Sequence, residues 1–308
     1  MTDPPEQRRP RRPVRSLPAP RDSWRPFGPG AEEWGSARRS APPPEQRLGP
    51  DGQLEHLLEL PMHQQPDDTT CGPTCLHAVY RYYGDEIALD EVIAGVSRLE
   101  NGGTLAVLLG SHALRRGYRA TIYTYNLHVF DPTWFSPGAP PLLDRLEQMA
   151  SLRREPKLRA TVRAYAEYVR LGGRIEFRDL TANLLRRYLK RGAPILTGLS
   201  STFLYRASRE LPDTNRADDL QGLPVGHFVV LRGYREGSRE TLVADPWRPS
   251  PMSETGTYWV PLSRLINSIL LGIITYDANL LVIEPHARGA KRGTAQARSH
   301  PPANDRRR

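Results

Sequence analysis

An α+β fold, with a helical N-terminal part packed on a mainly antiparallel sheet, is what this chain of 308 residues predicts. Three observations carry the expectation. Apolar residues recur at helical spacing from Cys71 to about residue 117 and again over 142–192, which is the mark of helices that bury one face. From residue 193 onward the pattern becomes short apolar runs separated by turn residues, the mark of strands. Helices come first and strands later, without regular βα alternation, which is the α+β order.

Taken in order, LEHLLELPMHQQ reads as a short strand or extended segment. From Cys71 to Tyr83 the residues Leu76, Val79, Tyr80 and Tyr83 fall at i, i+3, i+4 and i+7 of a helix, with Thr69 or Thr70 available as N-cap and Gly84 as the stop. ALDEVIAGVSRL and TLAVLLGSHALRRG are two more amphipathic helices. RATIYTYNL is a strand, FDPTWFSPGAPP a turn-rich connector, and the segment near 137–172 a helical insertion built from LLDRLEQMASL and PKLRATVRAYAEYVRLGG. RIEFRDL (strand), TANLLRRYLKRG (helix) and APILTGLSST (buried strand) follow. GHFVVLRGYREGSRETLVADPW reads as two strands joined by a Gly-Ser turn; TYWVPLSRLINSI and NLLVIEP add a strand, a helix and a last strand.

The charge is concentrated at the ends. The net charge is +9, yet residues 1–50 hold ten arginines against six acids and residues 286–308 seven basic residues against one acid, which leaves 51–285 close to neutral. Both ends are rich in Pro and Arg and poor in aliphatics, so 1–50 and 286–308 are expected to be disordered flanks of one domain at 51–285. A folded part without net positive charge and without a basic, aromatic stripe argues against nucleic acid as a partner. No window reaches the 18 or so apolar residues of a membrane span, and the N-terminus lacks the apolar core of a secretory signal; a cytoplasmic protein is expected.

Cys71 and Cys75 are the only cysteines. On a helix they stand one turn apart, where a disulfide constrains nothing distant, and without a second Cys or His cluster they make no zinc pattern. No metal and no cofactor is expected. Cys71, at the first turn, faces free backbone amides and the positive end of the helix dipole, both of which favour a thiolate. Gly72 beside it admits a substrate backbone, and Pro73 needs no donor at that position. An acyl-transfer cysteine also needs a base, a group to orient the base, and donors for the oxyanion. His227 opens the apolar strand FVVL, and Asp245 follows eighteen residues later at the end of TLVADP; a hairpin turning at Arg235 to Glu240 brings them nearly opposite. Gln65, six residues before Cys71, can add a side-chain amide at the oxyanion.

The blocks Q-x5-C-G-x-x-C-L, G-H-F-V-V-L and A-D-P in this order resemble the papain-like cysteine peptidases of the bacteriocin-processing, double-glycine leader peptidase group. The resemblance implies a papain-like fold over roughly 60–285 and cleavage of a peptide or protein substrate. It implies Cys71 as nucleophile, His227 as base, Asp245 as its orienter and Gln65 as oxyanion donor. The absence of a transporter segment points to a stand-alone relative. Two alternatives stay open: an acyl transferase that passes the same acyl-enzyme to an amine, and a peptide-binding module without turnover. Elsewhere, Cys75 is expected in the core, His77 on the polar side of its helix, and His63 in solvent near Gln65. Phe130 to Phe135 form either a pocket wall or a structural corner.

Overall fold

The computed structural model describes residues 41–98, 103–275 and 277–286. The chain begins with strands β1 (Glu45–Leu48) and β2 (Leu54–Leu57), followed by helices α1 (Cys71–Tyr82), α2 (Leu89–Gly95) and α3 (Ala106–Arg115). Strand β3 (Arg119–Thr124) leads into the helical pair α4 (Leu142–Leu152) and α5 (Pro156–Arg170), then β4 (Arg174–Glu176) and α6 (Ala182–Lys190). The last part holds β5 (Ile195–Ser200), α7 (Ser201–Tyr205), β6 (Gly226–Arg235), β7 (Glu240–Ala244), β8 (Thr257–Pro261), α8 (Leu262–Leu271) and β9 (Asn279–Glu284).

The nine strands of the described residues join one sheet, in the order β1-β2-β6-β5-β9-β3-β4, with β7 pairing β6 and β8 beyond it. Every pairing is antiparallel except β3 with β4. This is the α+β class that the order of helical and strand patterns predicts. The long strand β6 is its organiser: one edge pairs with β5 and then β2, the other with β7.

Helix α1 is buried along nearly its whole length because Leu76, Val79, Tyr80 and Tyr83 form one apolar stripe, while Thr74, Cys75 and Ala78 are small enough to fill the opposite side. It ends where Gly84 takes a φ of 73°, open to glycine at no steric cost. The start of α3 has no cap of its own; instead Asp277, just before β9, accepts the Ala106 amide on both carboxylate oxygens. Burial pushes the Asp277 carboxyl up to about 7.

Three expectations need correction. Residues 45–48 are not a loose flank: they pair with 54–57, because Arg47 finds the buried carboxylate of Glu55. The rest of the expected flanks, 1–40 and 287–308, lies outside the described residues. Helix α2 stops at Gly95, where a side chain would run into the His112 ring. The strand expected through Thr202 ends at Ser200, whose hydroxyl accepts from the Phe203 amide and starts α7. Of the two readings open for Phe130 to Phe135, the packing favours the structural corner: the Phe130 ring lies edge-on against Tyr165, and the Asp131 side chain holds Thr133.

The pairing of β1 gives a first test. A chain starting at residue 51 loses β1 and the Pro42 carbonyl that accepts from the Tyr82 hydroxyl. It is expected to melt below a chain starting at residue 41, by about 2–4 °C for each kcal/mol lost, as read by scanning calorimetry. Equal melting temperatures would show that β1 contributes nothing.

Candidate active site

Cys71 is the first residue of α1, and the loop before it explains why the helix end stays open. Asp67 ties the loop to itself: its carboxylate accepts from the amide and hydroxyl of Thr69, and its carbonyl accepts from the Thr70 hydroxyl. Thr70 occupies the N-cap position, yet its side chain turns back to Asp67 and caps nothing. The first-turn amides are therefore left for another acceptor. Cys71 itself is partly exposed.

Gly72 is needed for a different reason from the one expected. It is buried, and a β-carbon there would lie 2.5 Å from Thr104 and 3.2 Å from Leu109 and Phe228. Glycine lets α1 press against α3 and β6; it does not open a path for substrate.

His227 sits at the start of β6, opposite Leu199 of β5. Its Nε2 lies 2.8 Å from the Asp245 carboxylate, which leaves Nδ1 as the ring nitrogen open to the Cys71 side chain, a neighbour close enough to help raise the ring's pKa. The pairing depends on one residue of register. At the turn end of the hairpin, Gly233 pairs with Leu242, whereas Leu231 pairs with Val243 and Val230 with Ala244, so Arg232 is the extra residue of a β-bulge. A regular ladder would set Asp245 opposite Val230, on the other face of the sheet from His227. With Arg232 absorbed, Asp245 falls opposite Val229 and shares the face of His227.

Asp245 is fully buried and surrounded by donors. Oδ2 accepts from the hydroxyls of Tyr205 at 2.7 Å and Tyr258 at 2.8 Å, while Oδ1 accepts from His227 and from the Trp247 amide at 3.0 Å. Burial works against the carboxylate, but the His227 charge and these hydrogen bonds outweigh it and hold the carboxyl below its usual range. Burial also works against the imidazolium. Asp245 outweighs it, helped by Cys71, and lifts His227 to about 10. The three groups can thus hold a proton on the imidazole beside a sulfur at a helix start. Tyr205, Tyr258 and Trp247 carry no signal of this role in the sequence, although Trp247 stands in the ADPW block itself and Tyr258 is the second residue of the next strand.

Gln65 is joined to this group through its backbone, whose amide donates to the Pro246 carbonyl at 2.9 Å, next to Asp245. One hydrogen of its side-chain amide goes to the Asp67 carbonyl; the other remains available. The segment 206–225, which follows α7, reaches the same loop: the Asn215 side chain donates to Asp68, three residues before Cys71. Paired backbone bonds between Glu210 and Leu223 hold that segment in shape.

The remaining histidines and Cys75 stand apart. His77 is buried rather than on a polar face, with Nε2 against the Ile87 carbonyl and burial lowering its pKa. His63 is exposed and meets the His77 ring edge-on. Cys75 is fully buried, its thiol donates to the Phe228 carbonyl, and burial pushes its pKa well up. Iodoacetamide is therefore expected to modify Cys71 and to leave Cys75 untouched in the folded protein. Peptide mapping that found Cys75 the faster site would reverse the assignment.

Among the described residues no group of three or more His, Cys, Asp or Glu could hold a metal ion, and no helix is long and apolar enough to cross a membrane. The model of the Peptidase_C39 like family matches residues 57–266. Among solved structures, a double glycine motif protease from an AMS/PCAT transporter, in complex with the leader peptide, is 14% identical, with 75% of this chain and 94% of that one covered and a TM-score of 0.35. Xylellain, a cysteine protease from Xylella fastidiosa, is 17% identical, with 81% and 92% covered and a TM-score of 0.36. Direct comparison with curated protein sequences gives no match.

Proposed function

Because the chain belongs to the Peptidase_C39 like family, and is thus a cysteine peptidase-like enzyme, we propose that it hydrolyses an amide bond in a peptide or protein substrate through an acyl-enzyme on Cys71. The observation that carries this reading is the 2.8 Å bond between His227 Nε2 and Asp245, which leaves Nδ1 open for the sulfur at the start of α1. In the first step the Cys71 sulfur attacks the carbonyl carbon. The imidazolium then gives its proton to the leaving amine, and the carbon–nitrogen bond breaks. In the second step water attacks the thioester; His227 takes its proton, and the acid leaves as the Cys71 sulfur departs. Asp245 keeps the Nε2 proton in place throughout. The oxyanion of each step is taken up by the free Cys71 amide and by the second hydrogen of the Gln65 side chain. Segment 206–225, fixed to Asp68, forms one wall of the substrate groove.

Mass spectrometry of peptides in a cell lysate incubated with the wild type and with Cys71→Ala tests the reading. Cut products that need Cys71 support it; joined products would make an amine the acceptor; enrichment of intact peptides by both proteins would make this a binding module. On a substrate so found, Gln65→Ala is expected to lower turnover by about 10² to 10³, the size of one lost oxyanion donor. A loss below tenfold would remove Gln65 from that role.

A further inference from the structure

At the other end of the strands from His227 lies a cavity. His227 pairs with Leu199, and that end of the sheet continues through Asn279 and Thr124. The cavity opens where Arg119 pairs with Glu284, and has a volume of about 570 Å³. Its lining includes five arginines, Arg119, Arg174, Arg178, Arg187 and Arg191, against two carboxylates, Glu176 and Glu284. Arg174 and Arg178 share Glu176, and Arg191 holds Glu284. Arg119 and Arg187 have no ion pair among the described residues, and Arg187 instead donates to the Tyr123 hydroxyl at 3.1 Å.

We propose that this cavity binds a small phosphorylated molecule, an assignment independent of the peptidase reading. A concave wall with excess positive charge focuses potential and attracts anions. The guanidiniums are also oriented in advance: Arg191 lies 4.3 Å and Arg187 5.3 Å from the ring centre of Tyr188, whose hydroxyl meets that of Tyr123 at 2.6 Å. Each keeps donors beyond those used on its neighbours, and the planar fork matches phosphate oxygens two at a time. Five guanidiniums against two carboxylates leave three positive charges, which call for several negative charges on one compact group; a phosphate ester or diphosphate supplies them and a single carboxylate does not. The volume falls within the range of small-ligand sites, about 300–1,000 Å³.

The test is calorimetric titration of the full-length protein with inorganic pyrophosphate, ATP and citrate at one ionic strength, repeated on Arg119→Gln/Arg187→Gln. Saturable binding of pyrophosphate or ATP is expected, with affinity at least tenfold lower in the double variant and an unchanged rate of Cys71 alkylation. Binding by ATP alone would make the ligand a phosphorylated organic molecule; equal binding would make the phosphates sufficient. Because the arginine-rich ends can also attract anions, binding that persists unchanged in the double variant overturns the proposal. So does citrate binding as tight as pyrophosphate, or no binding by either phosphate. Both arginines are exposed, so the variant is expected to melt as the wild type does; if it does not, Arg119→Gln alone carries the comparison.

Discussion

Replacing His227 by alanine is expected to abolish turnover, by a factor on the order of 10⁶ if nucleophile and base act as one unit. It is also expected to slow labelling of Cys71 by a cysteine-directed probe near neutral pH. Equal labelling in the variant would show that His227 is not the base. The substitution carries a stability cost, because it leaves Asp245 buried without its counter-charge; about 3–5 kcal/mol is typical for a broken buried pair. The sign with pH follows from the two shifts. His227 is raised to about 10, so its contribution is complete below the ordinary histidine value of about 6.5 and is lost as pH rises toward 10. Asp245 is lowered, so its contribution is complete above the ordinary value of about 3.9 and is lost as pH falls through the lowered one. The difference in melting temperature between wild type and His227→Ala is therefore expected to be widest from about pH 4 to 6.5 and to shrink by pH 10. A difference that grew toward pH 10 would contradict the pairing.

Asp245→Ala is expected to cost about 10⁴ in turnover, the scale set by loss of the orienting acid in a Ser-His-Asp triad. Here the residue is more than an orienter. Its removal leaves the Tyr205 and Tyr258 hydroxyls and the Trp247 amide without their acceptor, so a melting temperature lower by roughly 10 °C is expected, from about 3–5 kcal/mol. Asp245→Asn separates geometry from charge. Its amide oxygen can still accept from His227 and Trp247, while its nitrogen faces two hydroxyls that can turn to accept. Turnover near that of the wild type would make orientation sufficient; turnover as low as in the alanine variant would make the charge essential. Full activity in Asp245→Ala would exclude any part for the carboxylate.

Most of the fold was legible because its signals are local. The stripe of α1 and the apolar runs of β5, β6 and β9 each report on a few neighbouring residues, and Cys71, His227 and Asp245 stand at element ends that such signals mark. What was not legible depends on residues far apart in the chain. Sequence alone assigns Gly72 to substrate, because nothing local shows Thr104 and Phe228 closing on it. Helical spacing alone puts His77 on a polar face, because it does not show the Ile87 carbonyl turned toward the ring. The donors around Asp245 come from α7, β8 and the following loop, and only the folded sheet collects them. Strand β1 escaped notice because its exposed EQRL has no alternation, and its partner is what makes it a strand.

The bulge at Arg232 divides the hairpin into regions of unequal tolerance to gain or loss of a residue. Added length at the tip, between Arg235 and Glu240, leaves every rung below it unchanged, so loops of any size can be grafted there. Between His227 and Leu231, or between Leu242 and Asp245, one residue more or less turns the carboxylate to the opposite side of the sheet from the imidazole, and two restore it to the right side but a rung out of reach. Single-residue deletions scanned along this hairpin should therefore give an on–off pattern of activity that follows odd and even count rather than side-chain chemistry. Loss of Arg232 itself is the exception, since it straightens the ladder while His227 and Asp245 keep their shared face.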